Sequence, residues 1–129
     1  MATRIFLLLS ALLWLPYGLY CWLSPSALAE AAGVAFQSPT GSTELRAMYG
    51  GLQAALGVLA VFGALRRSWV RPALAAIAFA TTGLGSARLA GTLLDGGLSS
   101  YTTTALGFEF TSAVIAFVLL HRATKSAAT

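Results

Sequence analysis

One uncharged stretch, from Ala47 to Leu65, limits what this chain can fold into more than any other feature. At 1.5 Å of rise per residue, about 20 helical residues cross the roughly 30 Å hydrocarbon core of a bilayer. The chain is 57% hydrophobic and 9% charged, whereas soluble domains carry about 25% charged residues. Because a small soluble domain could not bury so much apolar surface, the stretch predicts a membrane-spanning helix.

Three further apolar stretches are long enough to cross a bilayer. The chain is therefore predicted to be an all-α, integral membrane four-helix bundle, in one transmembrane domain over residues 1–129. Pro72 is expected in the first turn of the third helix, after a basic loop over residues 66–71. Ser38 to Ser42 is expected to form a turn. The predicted helices are 5–23, 44–65, 72–94 and 101–120, with a short interfacial helix at 27–36 that Ser26 could cap.

The first helix has a second interpretation, as a cleaved signal peptide. Ala27-Leu28-Ala29 resembles a small-x-small cleavage site. The apolar stretch before it is longer than the usual run of about 7–15 residues, and it is rich in Trp and Tyr. These two features favour a retained helix, and cleavage stays open as the alternative.

The basic residues predict the orientation of the helices. The connections on one side of the predicted spans carry Glu30 and Asp95 and no base. Lys and Arg are enriched on the cytoplasmic side of membrane proteins, so both termini are predicted to be cytoplasmic. The bases that lie on this side are Arg4, Arg66, Arg67, Arg71, Arg122 and Lys125.

Several function classes lack their sequence signature. The single cysteine, Cys21, leaves no intrachain disulfide and no cysteine-based zinc site. His121 has no second histidine nearby, so no metal and no cofactor is predicted. The bases are not interleaved with aromatic residues as in a nucleic-acid interface, and nucleic acid is not a predicted partner. Neither a G-x-S-x-G motif nor a Walker loop is present, so an enzyme is the less favoured interpretation.

A set of polar residues inside the predicted spans forms the candidate site. Arg88 and Glu109 fall at a similar depth, roughly 10 Å from the outer surface, on neighbouring antiparallel helices, and they are predicted to pair. Asp95 follows Arg88 by two helical turns and is expected to meet Arg46. The predicted result is an outward-facing polar pocket or buried polar network of Glu44, Arg46, Tyr49, Gln53, Arg88, Asp95 and Glu109.

Helical spacing supports one cluster. In an α-helix, Arg46, Tyr49 and Gln53 share a face because they recur every three or four residues. Gly50 and Gly57 lie on the same face and are expected to leave room for long polar side chains or for a ligand. Buried charges can also serve only to fix helix register, whereas ionisable groups within a membrane are functional by default. Both interpretations stay open from the sequence.

The segment Glu44-Leu45-Arg46-Ala47-Met48-Tyr49-Gly50-Gly51-Leu52-Gln53, followed by Gly57, resembles the signature of a bacterial membrane family known as domain of unknown function 4345. Arg88, followed by Asp95-Gly96, is similar to that family's second polar motif. The resemblance covers nearly the whole chain. It implies a small four-helix, multi-pass protein of the bacterial inner membrane, and it implies no established activity. A more distant likeness to DoxX-type proteins points to membrane redox systems by analogy alone.

The first functional hypothesis is therefore a membrane binding or accessory protein that holds a small anionic or lipid-like ligand. Arg46 and Arg88 would hold the anionic group, because a guanidinium matches carboxylate and phosphate. The alternatives are an enzyme of lipid or quinone chemistry, with Glu109 or Asp95 as acid or base and Tyr49 as donor, or a small transporter subunit. Expected partners are membrane lipids, a small-molecule ligand, and a homo-oligomer or a larger membrane complex.

Overall fold

The computed structural model describes residues 1–125, and within them the chain is helical and contains no strand. Four helices are long and apolar enough to cross a membrane: Ala2–Leu23, Pro39–Leu65, Arg67–Asp95 and Ser100–Lys125. This confirms the predicted number of candidate spans, and their insertion in a membrane stays a prediction. The orientation of the termini stays a prediction. The elements are α1 (Ala2–Leu23), α2 (Pro25–Ala32), α3 (Pro39–Leu45), a π-helix (Arg46–Gly51), α4 (Leu52–Leu65), α5 (Arg67–Asp95) and α6 (Ser100–Lys125).

The chain divides into two compact units, Met1–Trp69 and Val70–Thr129, here called unit one and unit two. Unit one contains α1 to α4 and the first residues of α5. Unit two contains the rest of α5 together with α6. The predicted polar residues Glu44, Arg46, Tyr49 and Gln53 belong to unit one, and Arg88, Asp95 and Glu109 belong to unit two.

Glycines bring α1 and α4 together at backbone distance in unit one. A Cβ atom added to Gly57 would lie 2.5 Å from the Leu15 nitrogen, and one added to Gly18 would lie 2.3 Å from the Ala54 nitrogen. A Cβ on Gly50 would lie 2.7 Å from the Cβ of Trp22. These separations are shorter than any van der Waals contact. Small residues at these positions therefore permit the close helix packing that membrane proteins use.

The second span begins earlier than the sequence predicted. Ser38 lies at the N-cap with its side chain accepting a hydrogen bond from the Gly41 nitrogen at 3.2 Å, and Pro39 occupies the first helical position. A serine cap followed by proline is a favourable helix start, because proline has no N–H to leave unpaired. The prediction of a turn over residues 38–42, with the helix starting at 44, is therefore wrong.

A short helix, α2, is present where the interfacial helix was predicted, but it begins and ends earlier than residues 27–36, and its interfacial position stays a prediction. Its N-cap position is Ser24, so the suggested capping role of Ser26 is wrong. The helix ends before Gly33, which adopts a left-handed conformation with φ of 68°. Glycine takes this conformation without steric cost, and this explains the early end.

The basic loop between the second and third spans is also shorter than predicted. Only Arg66, with extended backbone at φ −129° and ψ 126°, separates α4 from α5. The ring of Trp69 lies 5.7 Å from that of Phe62, centroid to centroid, and this contact holds the first turn of α5 against α4 within unit one. Pro72 consequently lies inside α5 and not in its first turn.

The last two helices each match one predicted bound to within one residue, the end of α5 and the start of α6. α5 ends at Asp95, and Gly96 has a φ of 70°, as expected of a helix-ending glycine. The Ser99 hydroxyl accepts a hydrogen bond from the Thr102 nitrogen at 3.1 Å and so caps α6. α6 continues through His121 to Lys125, five positions beyond the predicted end at residue 120.

Candidate functional site

The charged centre of unit two is an ion pair between α5 and α6. Arg88 Nη2 lies 2.8 Å from Glu109 Oε1, and Arg88 Nε lies 3.2 Å from Oε1 and 3.1 Å from Oε2. Two guanidinium nitrogens thus donate to one carboxylate, the geometry in which this pair is strongest. The predicted Arg88–Glu109 pair is confirmed.

The two members of the pair differ in exposure. The Glu109 side chain is 5% exposed, whereas the Arg88 side chain is 23% exposed. A buried carboxylate needs a partner because its desolvation is costly. Arg88 meets that need and still presents part of its side chain outside the protein interior.

Neighbouring residues fix the position of this pair. The Tyr101 ring centroid lies 5.8 Å from the Arg88 Cζ, close enough for a cation–π contact. Gly85 leaves space for α6, since an added Cβ would lie 3.4 Å from the Glu109 Cβ and 3.3 Å from the Phe110 Cζ. The absence of a side chain at Gly85 thus leaves room for the side chains of Glu109 and Phe110. Tyr101 was not among the predicted site residues, because its position at the start of a span is that of an ordinary interfacial tyrosine.

Asp95 lies at the end of α5 and is exposed. The Thr92 hydroxyl, between Arg88 and Asp95 in the chain, donates to the Arg88 carbonyl at 2.9 Å. The predicted approach of Asp95 to Arg46 stays a prediction.

In unit one, Arg46 donates from Nη1 to the main-chain carbonyl of Trp22. This carbonyl belongs to the last turn of α1, where helix carbonyls have no intrahelical donor. The guanidinium also places positive charge at the negative end of the α1 dipole. Arg46 therefore closes the end of α1, a role that the sequence could not show because it requires knowing which carbonyl lies opposite. In the described part of this unit, neither Glu30 nor Glu44 forms an ion pair with it.

The π-helix from Arg46 to Gly51 changes which residues share a face. The Leu52 nitrogen donates to the Ala47 carbonyl, an i→i−5 bond in place of the α-helical i→i−4 bond. One extra residue in a turn rotates the preceding residues by about 100° relative to those that follow, one residue's share of an α-helical turn. The prediction that Arg46 and Gln53 lie on one face is therefore wrong.

Gln53 is buried, with 7% of its surface exposed. Its Oε1 has no hydrogen-bond partner among residues 1–125. Tyr49 is half-buried and Glu44 is exposed. An unpaired buried amide oxygen is uncommon, because the free energy of leaving it unpaired is about 1–3 kcal/mol.

Gly50 and Gly57 of the second span do not leave room for a ligand at their own positions. Gly50 and Gly57 are in backbone contact with Trp22 and Leu15 of α1, as described above. The expectation of ligand space at these two glycines is wrong, because Trp22 and Leu15 of α1 occupy it. Gly51 differs, since the nearest atom to an added Cβ is the Arg46 carbonyl oxygen of the same span, at 3.9 Å.

Within residues 1–125 there is no group of three or more His, Cys, Asp or Glu side chains placed to hold a metal ion. The model of one protein family, described as Domain of unknown function (DUF4345), matches residues 2–120. No curated protein and no solved structure matches the chain. Since the family model covers most of the sequence, the chain belongs to the DUF4345 family.

Proposed function

We propose that this DUF4345 protein is a membrane-embedded binding or accessory protein that holds a small anionic ligand or lipid head group at Arg88, and is not an enzyme. The observation that carries the proposal is the Arg88–Glu109 pair, set inside two apolar helices with the arginine side chain 23% exposed. Ionisable residues within membrane spans are rare and mark ligand or ion sites.

Stability alone is a weak reason to keep such a pair. Replacing a buried ion pair by apolar residues of similar volume is often neutral or stabilising, because the desolvation of two charges offsets their attraction. The carboxylate of Glu109 balances the charge of Arg88 while no ligand is bound. A pair that is costly to bury, and whose cation stays partly accessible, is better explained by binding.

The chemistry of Arg88 selects the ligand class. A guanidinium presents a planar fork of donors that matches the oxygens of a carboxylate or a phosphate. Arg88 lies about 10 Å along α5 from Asp95, at 1.5 Å per residue, so the polar group of an amphiphile could reach it from the nearby membrane surface while its apolar part stays in hydrocarbon. A small organic anion and a lipid head group share this chemistry.

The test is native mass spectrometry of protein extracted gently from its own membrane. Wild type is compared with the double variant Arg88→Leu/Glu109→Leu, which removes both charges together and leaves no unpaired carboxylate. Arg122→Leu is the matched control, because Arg122 is exposed and forms no ion pair within residues 1–125. We expect an anionic adduct in wild type and in the control, and none in the folded double variant. A wild type without such an adduct, or an adduct that the double variant retains, would refute the proposal.

We also propose the cytoplasmic placement of both termini in a bacterial inner membrane. The support is the charge asymmetry: Arg66 and Arg67 connect the second and third spans, and Arg122 and Lys125 follow the fourth. Fusions of green fluorescent protein and of alkaline phosphatase, made separately to the N-terminus and to the C-terminus, test the placement. Fluorescence without phosphatase activity is expected, and the reverse pattern would contradict the proposal.

A further inference from the structure

The amide of Gln53 lies buried in unit one with an acceptor oxygen that no described residue pairs with. We infer that Gln53 marks a second binding site, which takes the hydroxyl group of an otherwise apolar, uncharged molecule. This inference does not depend on the proposed anion site at Arg88, because it concerns another unit and another ligand chemistry.

The position of Gln53 restricts the ligand to molecules that dissolve in hydrocarbon. The second span runs from Pro39 to Leu65. At 1.5 Å per residue, Gln53 lies about 20 Å from either end of it, near the middle of the membrane. A ligand that reaches this depth must be mainly apolar.

The packing of α4 keeps the amide at this position. Gly50 and Gly57, on either side of Gln53 in the chain, are locked at backbone distance against α1. Rotating α4 to turn Gln53 towards another donor would break both contacts. The amide oxygen of Gln53 therefore has to find a hydrogen-bond donor at its present position.

The charges of unit one argue against an anion at Gln53. Arg46 lies about 10 Å away along the helix axis, is rotated by about 100° and is engaged at the Trp22 carbonyl. Arg46 is therefore not placed to balance a ligand's negative charge. An anion would also face the amide oxygen with like partial charge.

A hydroxyl group fits the amide in either of its orientations. The O–H donates to Oε1, and the hydroxyl oxygen can accept from the amide nitrogen. The adjacent π-helix gives a second reason to expect a ligand that donates a hydrogen bond. The change from i→i−5 bonding at Leu52 back to i→i−4 bonding skips one main-chain carbonyl in this turn.

The experiment uses two photoreactive probes that differ only in the hydroxyl group. One is a diazirine-bearing long-chain alcohol, and the other is its methyl ether, which cannot donate a hydrogen bond. The full chain is placed in phosphatidylcholine nanodiscs and labelled, and the labelled peptides are quantified by mass spectrometry. The proteins compared are wild type, Gln53→Leu, and Gln53→Met as a second apolar variant of similar length.

We expect wild type to be labelled near Gln53 about tenfold more by the alcohol than by the ether, the ratio that one hydrogen bond provides. Both variants should lose this preference while keeping the ether's level of labelling. Equal labelling of wild type by the two probes, or a preference that survives in both variants, would overturn the inference.

The thermal midpoint in alcohol-free nanodiscs gives an independent reading. If the amide is unpaired without its ligand, Gln53→Leu should raise the midpoint, because the variant removes an unsatisfied polar group. A lower midpoint in both apolar variants would show that water or protein already satisfies the amide, and it would overturn the inference.

Discussion

Two Gly→Ala substitutions should have opposite effects on stability, because the two glycines differ in what their missing side chain would meet. A Cβ on Gly57 would lie 2.5 Å from the Leu15 nitrogen, 2.6 Å from its Cβ and 2.7 Å from its Cα. A Cβ on Gly83 of α5 would have nothing within 4 Å. The same chemical change thus tests close packing at one site and intrinsic helix propensity at the other.

The magnitude follows from these distances. Carbon atoms in contact lie about 3.5–4.0 Å apart, so α1 and α4 would have to separate by roughly 1 Å to accept Gly57→Ala. Two of the three atoms met belong to the backbone and cannot rotate away. Overpacking costs about 1–3 kcal/mol, and we expect about 2 kcal/mol or more here. Gly83→Ala should instead gain up to about 1 kcal/mol from the lower backbone entropy of alanine.

The chain carries its own reporter for this measurement. Cys21 is its single cysteine, and it is fully buried in α1. A thiol-reactive fluorogenic dye in a detergent heating series therefore reports when the packing of α1 opens. We expect the labelling midpoint to fall in Gly57→Ala and to stay level or rise in Gly83→Ala. Equal midpoints for Gly57→Ala and wild type would refute the packing argument.

Three further contacts are tested by substitution and thermal unfolding in detergent. Arg88→Leu alone should lower the free energy of unfolding by about 3 kcal/mol, because it leaves the buried carboxylate of Glu109 unpaired. Adding Glu109→Leu should restore most of the stability. A double variant as unstable as the single one would contradict this. Arg46→Leu should cost about 1 kcal/mol through the lost hydrogen bond to the Trp22 carbonyl, and an unchanged midpoint would contradict the closing role. Ser38→Ala should cost about 1 kcal/mol by removing the N-cap of α3, whereas Ser38→Asp should be tolerated.

Much of the helical architecture could be predicted from the sequence, because hydropathy over a span is a sum over many residues. Four apolar stretches each gave one helix of membrane-spanning length, and α5 ended before Gly96, one residue beyond its predicted end at residue 94. The helix ends that were predicted wrongly depend on single local interactions. Ser38 and Pro39 start a helix when the Ser38 hydroxyl meets the Gly41 nitrogen, yet the same residue types also make turns.

The predictions for the candidate site were likewise right in one part and wrong in another. The Arg88–Glu109 pair could be predicted from depth alone. Opposite charges at equal depth on neighbouring helices pair because either charge buried without a partner would be strongly destabilising. The prediction that Arg46 and Gln53 share a helix face was wrong because it assumed 3.6 residues per turn throughout. No residue pattern announces a π-helix, although two consecutive glycines at 50 and 51 make the departure less costly.

The two arginines that the sequence treats as equivalent have different partners, and this difference bears on ligand selection. Arg46 meets a neutral carbonyl, so its charge offsets only the partial charge at the end of α1. Arg88 meets a full carboxylate through two nitrogens, so an incoming anion must compete with bonds that already exist. A chloride ion or a single hydroxyl cannot replace a bidentate contact, whereas a carboxylate or a phosphate can. The ion pair would thus exclude weakly binding anions. Specificity is a difference of affinities, and a ligand would have to bind Arg88 more strongly than the Glu109 carboxylate does.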